Sequence, residues 1–335
     1  MQSESHSDFR FFLFKIKFLS SMVNRRHIRS KVLQAIYAMT QNNSDQLDVY
    51  EKYLFSSLEN IRELYLLMLS SLVELQKVEQ EYLEVSSQKH LATPEERNPN
   101  KKFINNSILQ ILVTSETLQN WLEELHVNQF TVNDHYIKGL LQDVKTSDLY
   151  KQYMRNGVNT FAEDKEFAIK LFAEFIAPNE KIYEFLEDYK ISWIDDIPVV
   201  NTAILKQLEG LKNEVSYFKL NRVFKDDEDK EFAKQLFRKT ALNADVLIKE
   251  YEDKTRNWDI DRLAEIDAII LNLGVCELQK FPSIPVKVTI NEYLELAKEY
   301  STPKSSIFIN GILDALVKEY RQENKLNKIG RGLID

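Results

Sequence analysis

Residues 258–281, WDIDRLAEIDAIILNLGVCELQKF, decide the class of fold. Apolar side chains recur on nearly every side of this segment, which predicts a helix buried all round at the centre of a domain. Pro282 and Pro285 end it, because proline cannot continue the helical hydrogen-bond pattern. The single cysteine of the chain, Cys276, lies within this segment. Its setting predicts a buried structural thiol in a reducing compartment.

Two further helices are predicted on the C-terminal side of this segment. The stretch VTINEYLELAKEY at 288–300 is amphipathic, and its apolar face is predicted to consist of Ile290, Leu294 and Ala297. The next helix begins with Thr302 as its N-cap and Pro303 at its first position, which is a frequent combination at helix starts.

An arginine-rich helix is predicted near the other end of the chain, at 24–41, with the sequence NRRHIRSKVLQAIYAMTQ. Asn24 is its predicted N-cap. The predicted buried stripe recurs at helical spacing and comprises Ile28, Val32, Ala35, Ile36 and Met39. The opposite side is predicted to be exposed and comprises Arg26, Ser30, Tyr37 and Gln41. The exposed face of this helix is therefore expected to be basic, with one aromatic residue.

The composition supports an all-α fold, since the 335 residues include only 7 glycines and 7 prolines. The net charge of −8 excludes coating of nucleic acid by bulk positive charge. Residues 1–44, however, hold seven Arg and Lys against two acidic residues, so a polyanion is expected to meet this end. Lys15 and Lys17 interrupt the apolar run at 9–21, which argues against a secretory signal, and no membrane span is predicted.

An internal repeat marks the middle of the chain. DKEFAIKLF at 164–172 returns as DKEFAKQLF at 229–237, a shift of 65 residues, which indicates a duplicated helical unit. The predicted organisation is an upstream extension outside the fold at 1–21, an N-terminal helical region at 22–160, the first copy of the duplicated unit at 161–224, a C-terminal subdomain at 225–320 and a flexible tail at 321–335.

Two segments resemble the NusB family of transcription antitermination proteins. The first is RRHIRSKVLQAIYAM at 25–39, and the second combines IDAIILNLGVCEL at 266–278 with IPVKVTINEYLELAKEYSTPKSSIFINGILDAL at 284–316. The string INE…ELAK…FINGILD is highly specific. The resemblance covers residues 22 to about 41 and about 225 to 320, and it implies a NusB-type helical bundle. The region 45–224 departs from the family pattern, and it is expected either to enlarge the first helical subdomain or to add a further one that includes the first repeat copy.

The resemblance implies a cytoplasmic factor that binds the boxA element of nascent RNA together with NusE, the tenth small-subunit ribosomal protein. This assembly joins RNA polymerase on ribosomal RNA operons and suppresses premature termination. The expected RNA contacts are Arg25, Arg26, Arg29, Lys31, Tyr37, Lys304 and Phe308. Phe308 is equally compatible with a place in the core. Four phosphate contacts predict a slope of about −3 in log K against log salt.

Matched family positions also place Asp267 and Glu277 near the ribosomal-protein interface. An acidic residue on a buried helix is alternatively expected to cap the helix or to pair locally. Both residues are therefore candidates for partner binding, with a purely structural role as the alternative.

An enzyme is not predicted. The chain has no G-x-G-x-x-G, no G-x-x-x-x-G-K and no alternation of strands with helices, as an RNA methyltransferase requires. Its five histidines are scattered without metal-ligand spacing, and no cofactor, metal or small-molecule substrate is expected. The remaining alternative is a helical scaffold that binds only proteins, in which the basic helix is incidental.

Overall fold

The structure is a computed structural model that describes residues 21–212, 218–255 and 264–334. Within these ranges the regular elements are helices, which confirms the predicted all-α class. The chain divides into two compact units. We call Glu59–Lys225, with Ser21 and Met22, the central unit. Val23–Leu58 together with the chain from Asp226 onward is the terminal unit.

The α-helices of the described ranges are numbered in chain order. They are α1 Arg25–Gln41, α2 Leu47–Ser87, α3 Pro94–Arg97, α4 Ser107–Val113, α5 Glu116–Glu124, α6 Gln129–Val132, α7 Asp134–Thr146, α8 Asp148–Arg155, α9 Phe161–Leu171, α10 Glu180–Tyr189, α11 Ile197–Gly210, α12 Asp227–Leu242, α13 Ala244–Tyr251, α14 Glu265–Lys280, α15 Val286–Tyr300 and α16 Pro303–Gln322. A π-helical turn at Phe172–Ile176 follows α9, and 3₁₀ turns occupy Ile191–Trp193, Glu252–Thr255 and Gly330–Leu333.

Helix α14 forms the centre of the terminal unit. Residues 269–278 are all buried, as their apolar sequence predicts, while residues 258–263 of the same predicted helix lie outside the described residues. Helices α1, α12, α13, α15 and α16 pack against α14. An added Cβ at Gly274 would lie 3.2 Å from Leu313, so glycine permits a close approach of α14 and α16. Burial raises the pKa of the Cys276 thiol to about 11, and the predicted structural thiol is buried.

The buried face of α15 differs from the predicted one. Ile290 and Leu294 are only half-buried. The fully buried residues are instead Val286, Thr289, Tyr293, Leu296 and Ala297. Hydropathy misplaces this face because Thr289 and Tyr293 turn inward to hydrogen-bond a buried carboxylate, that of Glu277.

The two repeat copies occupy equivalent positions in the two units. In the central unit α9 packs on α4 and α11, and in the terminal unit α12 packs on α1 and α14. The apolar repeat positions are buried in both copies, namely Phe167, Ala168, Leu171 and Phe172 in the first and Phe232, Ala233, Leu236 and Phe237 in the second. The two copies thus bury the same repeat positions, and their origin by duplication stays a prediction.

The aspartate of each repeat copy holds the start of a helix. Asp164 accepts hydrogen bonds from the backbone N–H and hydroxyl of Ser107, at 2.8 and 2.6 Å. Asp229 accepts one from Nε of Arg25 at 2.9 Å. Ser107 and Arg25 are each the first residue of a helix that an asparagine caps. The repeat thus reproduces an anchoring contact as well as a sequence.

The predicted extension at 1–21 lies outside the described residues except for Ser21, which forms a bridge with Arg222. The flexibility of 321–335 stays a prediction; in the structure Ile329 of this tail donates to the Pro282 carbonyl at 3.0 Å. None of the described helices is long and apolar enough to cross a bilayer. Across the same residues, no cluster of three His, Cys, Asp or Glu side chains is arranged to hold a metal ion.

Candidate RNA-binding site

The basic residues stand at the N-terminal end of α1. Asn24 caps the helix, since its side-chain oxygen accepts a hydrogen bond from the backbone N–H of His27 at 2.9 Å. The predicted apolar stripe is buried at four positions, Ile28, Val32, Ala35 and Ile36, and Met39 is half-buried. This packing fixes the direction in which the side chains of the first turn leave the helix.

Arg25 and Arg26 are partly exposed, with 38% and 49% of their side-chain surface accessible. Arg25 is held by Asp229. Arg26 donates from Nε and Nη2 to the carboxylate oxygens of Glu292, at 3.1 and 3.0 Å, and this pairing raises the pKa of Arg26. An arginine carries five N–H donors. Both residues therefore keep N–H groups that can donate hydrogen bonds to a second anion, such as a phosphate.

Arg29 and Lys31 do not lie on an exposed basic face, contrary to the expectation for RNA contacts. The Arg29 side chain is 2% exposed and donates to both oxygens of Glu277, each at 2.8 Å. Burial by itself lowers the pKa of Arg29, but the Glu277 carboxylate outweighs burial and raises it. Lys31 is 1% exposed. The sequence of α1 alone does not show that Arg29 is buried in an ion pair, because its partner Glu277 is 248 residues away along the chain.

Glu277 and Asp267 are both buried. The Glu277 carboxylate also accepts hydrogen bonds from the hydroxyls of Thr289 and Tyr293, at 2.8 and 3.0 Å. Burial raises the pKa of Tyr293, which keeps its hydroxyl protonated as a donor. Asp267 lies in the first turn of α14, and its Oδ1 accepts no hydrogen bond from any described residue. Glu277 is thus satisfied internally, whereas one oxygen of Asp267 is not.

The other expected RNA contacts lie on different parts of the terminal unit. Tyr37 is 39% exposed on α1. Lys304 is exposed in the first turn of α16, where the Thr302 hydroxyl caps the helix by accepting from the backbone N–H of Ser305 at 3.2 Å. Phe308 is buried, which agrees with its alternative place in the core.

A cleft of about 560 Å³ brings three of the expected arginines together. Its lining comprises Asn24, Arg25, Arg26, Arg29, Ser283, Ile284, Pro285, Val288, Glu292, Arg331 and Ile334. Tyr37, Lys304 and Phe308 are not part of this lining. Sequence reasoning missed Glu292 and Arg331. Glu292 lies in the INE string that carries the resemblance, whereas no pattern marks Arg331 within the polar tail.

Comparison with known proteins assigns the C-terminal part of the chain, about a third of its length, to a family. The model of the NusB family matches residues 204–318. The transcription antitermination protein NusB of Salinibacter ruber (strain DSM 13855 / M31) is 44% identical over 112 residues, which are 32% of this chain and 68% of that protein. This chain is therefore about twice as long. No solved structure matches it.

Two other relatives carry the same name. The transcription antitermination protein NusB of Finegoldia magna (strain ATCC 29328 / DSM 20472 / WAL 2508) is 45% identical over 96 residues, which cover 29% of this chain and 69% of that protein. That of Chloroherpeton thalassium (strain ATCC 35110 / GB-78) is 37% identical over 113 residues, which cover 34% of this chain and 54% of that protein. With its packed α12 to α16 and a shared sequence that spans 68% and 69% of two of these relatives, the chain belongs to the NusB family.

Proposed function

We propose that this protein is a transcription antitermination factor that binds boxA-type single-stranded RNA together with NusE. The observation that carries the proposal is the cleft at the start of α1, where Arg25 and Arg26 are partly exposed in a member of the NusB family. The factor acts in the cytoplasm as part of the RNA polymerase complex on ribosomal RNA operons. It uses no cofactor and catalyses no reaction.

The chemistry of the cleft suits a single strand. Phosphates accept hydrogen bonds from the remaining N–H donors of Arg25 and Arg26. Outside the cleft, Tyr37 on the same helix offers an aromatic ring on which an unpaired base stacks. Lys304 supplies a further cation on α16. Arg29 acts from the interior, where it pairs with Glu277. It also lies 3.5 Å from Glu292 and so helps to hold the Glu292 carboxylate, which in turn positions Arg26. Lys31 and Phe308 are assigned to packing in this proposal.

NusE is assigned to the surface near the start of α14. A buried carboxylate oxygen without a hydrogen bond is energetically unfavourable, and Oδ1 of Asp267 is such an atom with respect to the described residues. We infer that a donor from the partner satisfies it. Glu277 acts indirectly, since its carboxylate is already bonded within the terminal unit.

A protein-only scaffold is the second candidate, and one observation favours it. Two of the four cations of α1 that were expected to contact RNA, Arg29 and Lys31, are buried, and the chain as a whole carries a charge of −8. Under this alternative the remaining arginines stabilise the fold through Asp229 and Glu292, and RNA is not retained.

Fluorescence anisotropy with a boxA-like strand and a scrambled strand, each with and without NusE, separates the two functions. We expect the boxA-like strand to bind more tightly and NusE to enhance that binding. The double variant R25A/R26A is expected to weaken RNA binding by roughly tenfold or more, because it removes two charge-assisted contacts. The control K318A/R321A removes the same charge from exposed positions near the end of α16. Equal binding of both strands by wild type, unaffected by R25A/R26A, establishes the scaffold instead.

A further inference from the structure

The C-terminal tail folds back onto the rim of the cleft. The family match ends at residue 318, so this tail lies beyond it. The backbone N–H of Ile329 donates to the carbonyl of Pro282 at 3.0 Å, and Nζ of Lys328 donates to the carbonyl of Phe281 at 3.2 Å. These contacts place the 3₁₀ turn Gly330–Leu333 against the loop between α14 and α15.

Two glycines allow this turn to form. Gly330 has a φ of +53°, in the left-handed region that glycine adopts at little cost. A Cβ at Gly332 would lie 1.9 Å from the Pro282 carbonyl oxygen, which no side chain tolerates without a shift of the backbone. The residue between them, Arg331, is therefore directed by a close backbone contact, and it lines the cleft.

Arg331 differs from the arginines of α1 in its electrostatic surroundings. Arg25, Arg26 and Arg29 each lie in an ion pair with an acidic side chain. Among the described residues, none forms an ion pair with Arg331, whose side chain is exposed. An uncompensated guanidinium attracts a polyanion more strongly than one already neutralised by a carboxylate. Arg331 is thus the cation of the cleft most available to a phosphate.

Apolar residues complete the same cleft. Ile284, Pro285 and Val288 line it from the loop and α15, and Ile334 lines it from the tail. Val288 and Ile334 are exposed. A surface that pairs arginines with exposed aliphatic groups fits a nucleotide strand, since phosphates take the cations and the faces of unpaired bases take apolar contacts.

We propose that Arg331 is an additional RNA phosphate contact and that the tail forms a wall of the RNA-binding cleft. The inference rests on the proposed function, because it assigns a further residue and segment to the same RNA site. It extends the RNA contacts beyond the part of the chain that matches the family.

The test is the affinity of the full-length chain for the boxA-like strand by fluorescence anisotropy across a series of salt concentrations. We expect R331A to weaken binding about three- to tenfold and to reduce the salt slope by about 0.7, the value for one phosphate contact on a single strand. The matched control K318A removes one charge from an exposed position outside the cleft and is expected to keep the wild-type affinity and slope.

Gly332→Ala tests the geometry without changing charge. It is expected to displace the tail and to weaken binding as much as R331A does. The double variant R331A/G332A is expected to be no weaker than either single variant, because both act through one contact. Thermal unfolding followed by circular dichroism checks that each variant is folded.

The outcomes distinguish this inference from the proposed function. If wild type binds the boxA-like strand but R331A matches K318A, Arg331 has no role and the proposed function stands. Tighter binding by G332A or R331A shows that the tail obstructs the cleft, and it also overturns the inference. If wild type binds neither strand, with or without NusE, both proposals fail.

Discussion

At the scale of single residues, the pair of Arg29 and Glu277 is central to the terminal unit. Both side chains are almost completely buried, and the carboxylate is shared with Thr289 and Tyr293. Desolvating two charges is expensive, so such a pair contributes little net stability compared with apolar packing. Removing one partner is different, because the other charge is left buried without compensation.

We therefore expect Glu277→Gln to destabilise the protein by about 3 kcal/mol, lowering Tm by roughly 10 °C. Differential scanning calorimetry measures the change. Glu295→Gln is the matched control on the same unit, since the Glu295 carboxylate is partly exposed and lies 2.7 Å from Nζ of Lys298. Its Tm is expected to equal that of wild type. An unchanged Tm for Glu277→Gln would show that the buried guanidinium finds another counter-ion.

At the scale of elements, the predictable helices are those whose environment is uniform. Helix α14 is apolar on nearly all sides, and its residues 269–278 are all buried, as its sequence predicts. Helix α15 is different, because its inward face includes Thr289 and Tyr293, which serve a carboxylate on α14. Hydropathy ranks these two residues below Ile290 and Leu294, so periodicity alone selects the wrong face. The Glu277 carboxylate, toward which Thr289 and Tyr293 turn, is brought next to them only by the three-dimensional fold.

The repeat gives a prediction at the same scale. Asp164 accepts hydrogen bonds from Ser107 and from the Tyr153 hydroxyl at 2.6 Å. Asp164→Asn turns one acceptor into a donor that faces other donors, so we expect the free energy of unfolding to fall by about 2 kcal/mol. The shift in the midpoint of urea denaturation measures this change. Glu166→Gln, two residues on, is exposed and pairs within its own helix with Lys170, so its midpoint is expected to be that of wild type.

At the scale of the whole molecule, the cleft does not share the net negative charge of the chain. The chain carries −8 overall, yet the cleft is lined by four arginines and one glutamate. Sequence analysis predicted a basic end from the distribution of charge along the chain, and the arginines of α1 that line the cleft belong to that end. It overestimated the number of available cations, because Lys31 is buried and Arg29 is buried against Glu277, which is 248 residues away along the chain. It also omitted Arg331, which only the fold of the tail brings to the cleft.

The revised set of cations determines the expected salt dependence. Within the cleft, Arg25, Arg26 and Arg331 are expected to make three phosphate contacts, which give log K against log salt a slope of about −2, and Lys304 on α16 outside the cleft brings the slope to about −3. Titrations between roughly 50 and 200 mM salt measure it. A slope near zero would mean that phosphate contacts contribute nothing to binding, and a slope much steeper than −3 would require cations beyond these four.

The paired anchors of the repeat also show which part of the contact the fold requires. In one copy the aspartate holds Arg25 beside the cleft, and in the other it holds the uncharged Ser107. The aspartate needs only a hydrogen-bond donor at the first position of the capped helix, so the charge of Arg25 is not required for the anchor. The same contact therefore anchors a helix in both units, and in the terminal unit it also holds a charged side chain at the cleft.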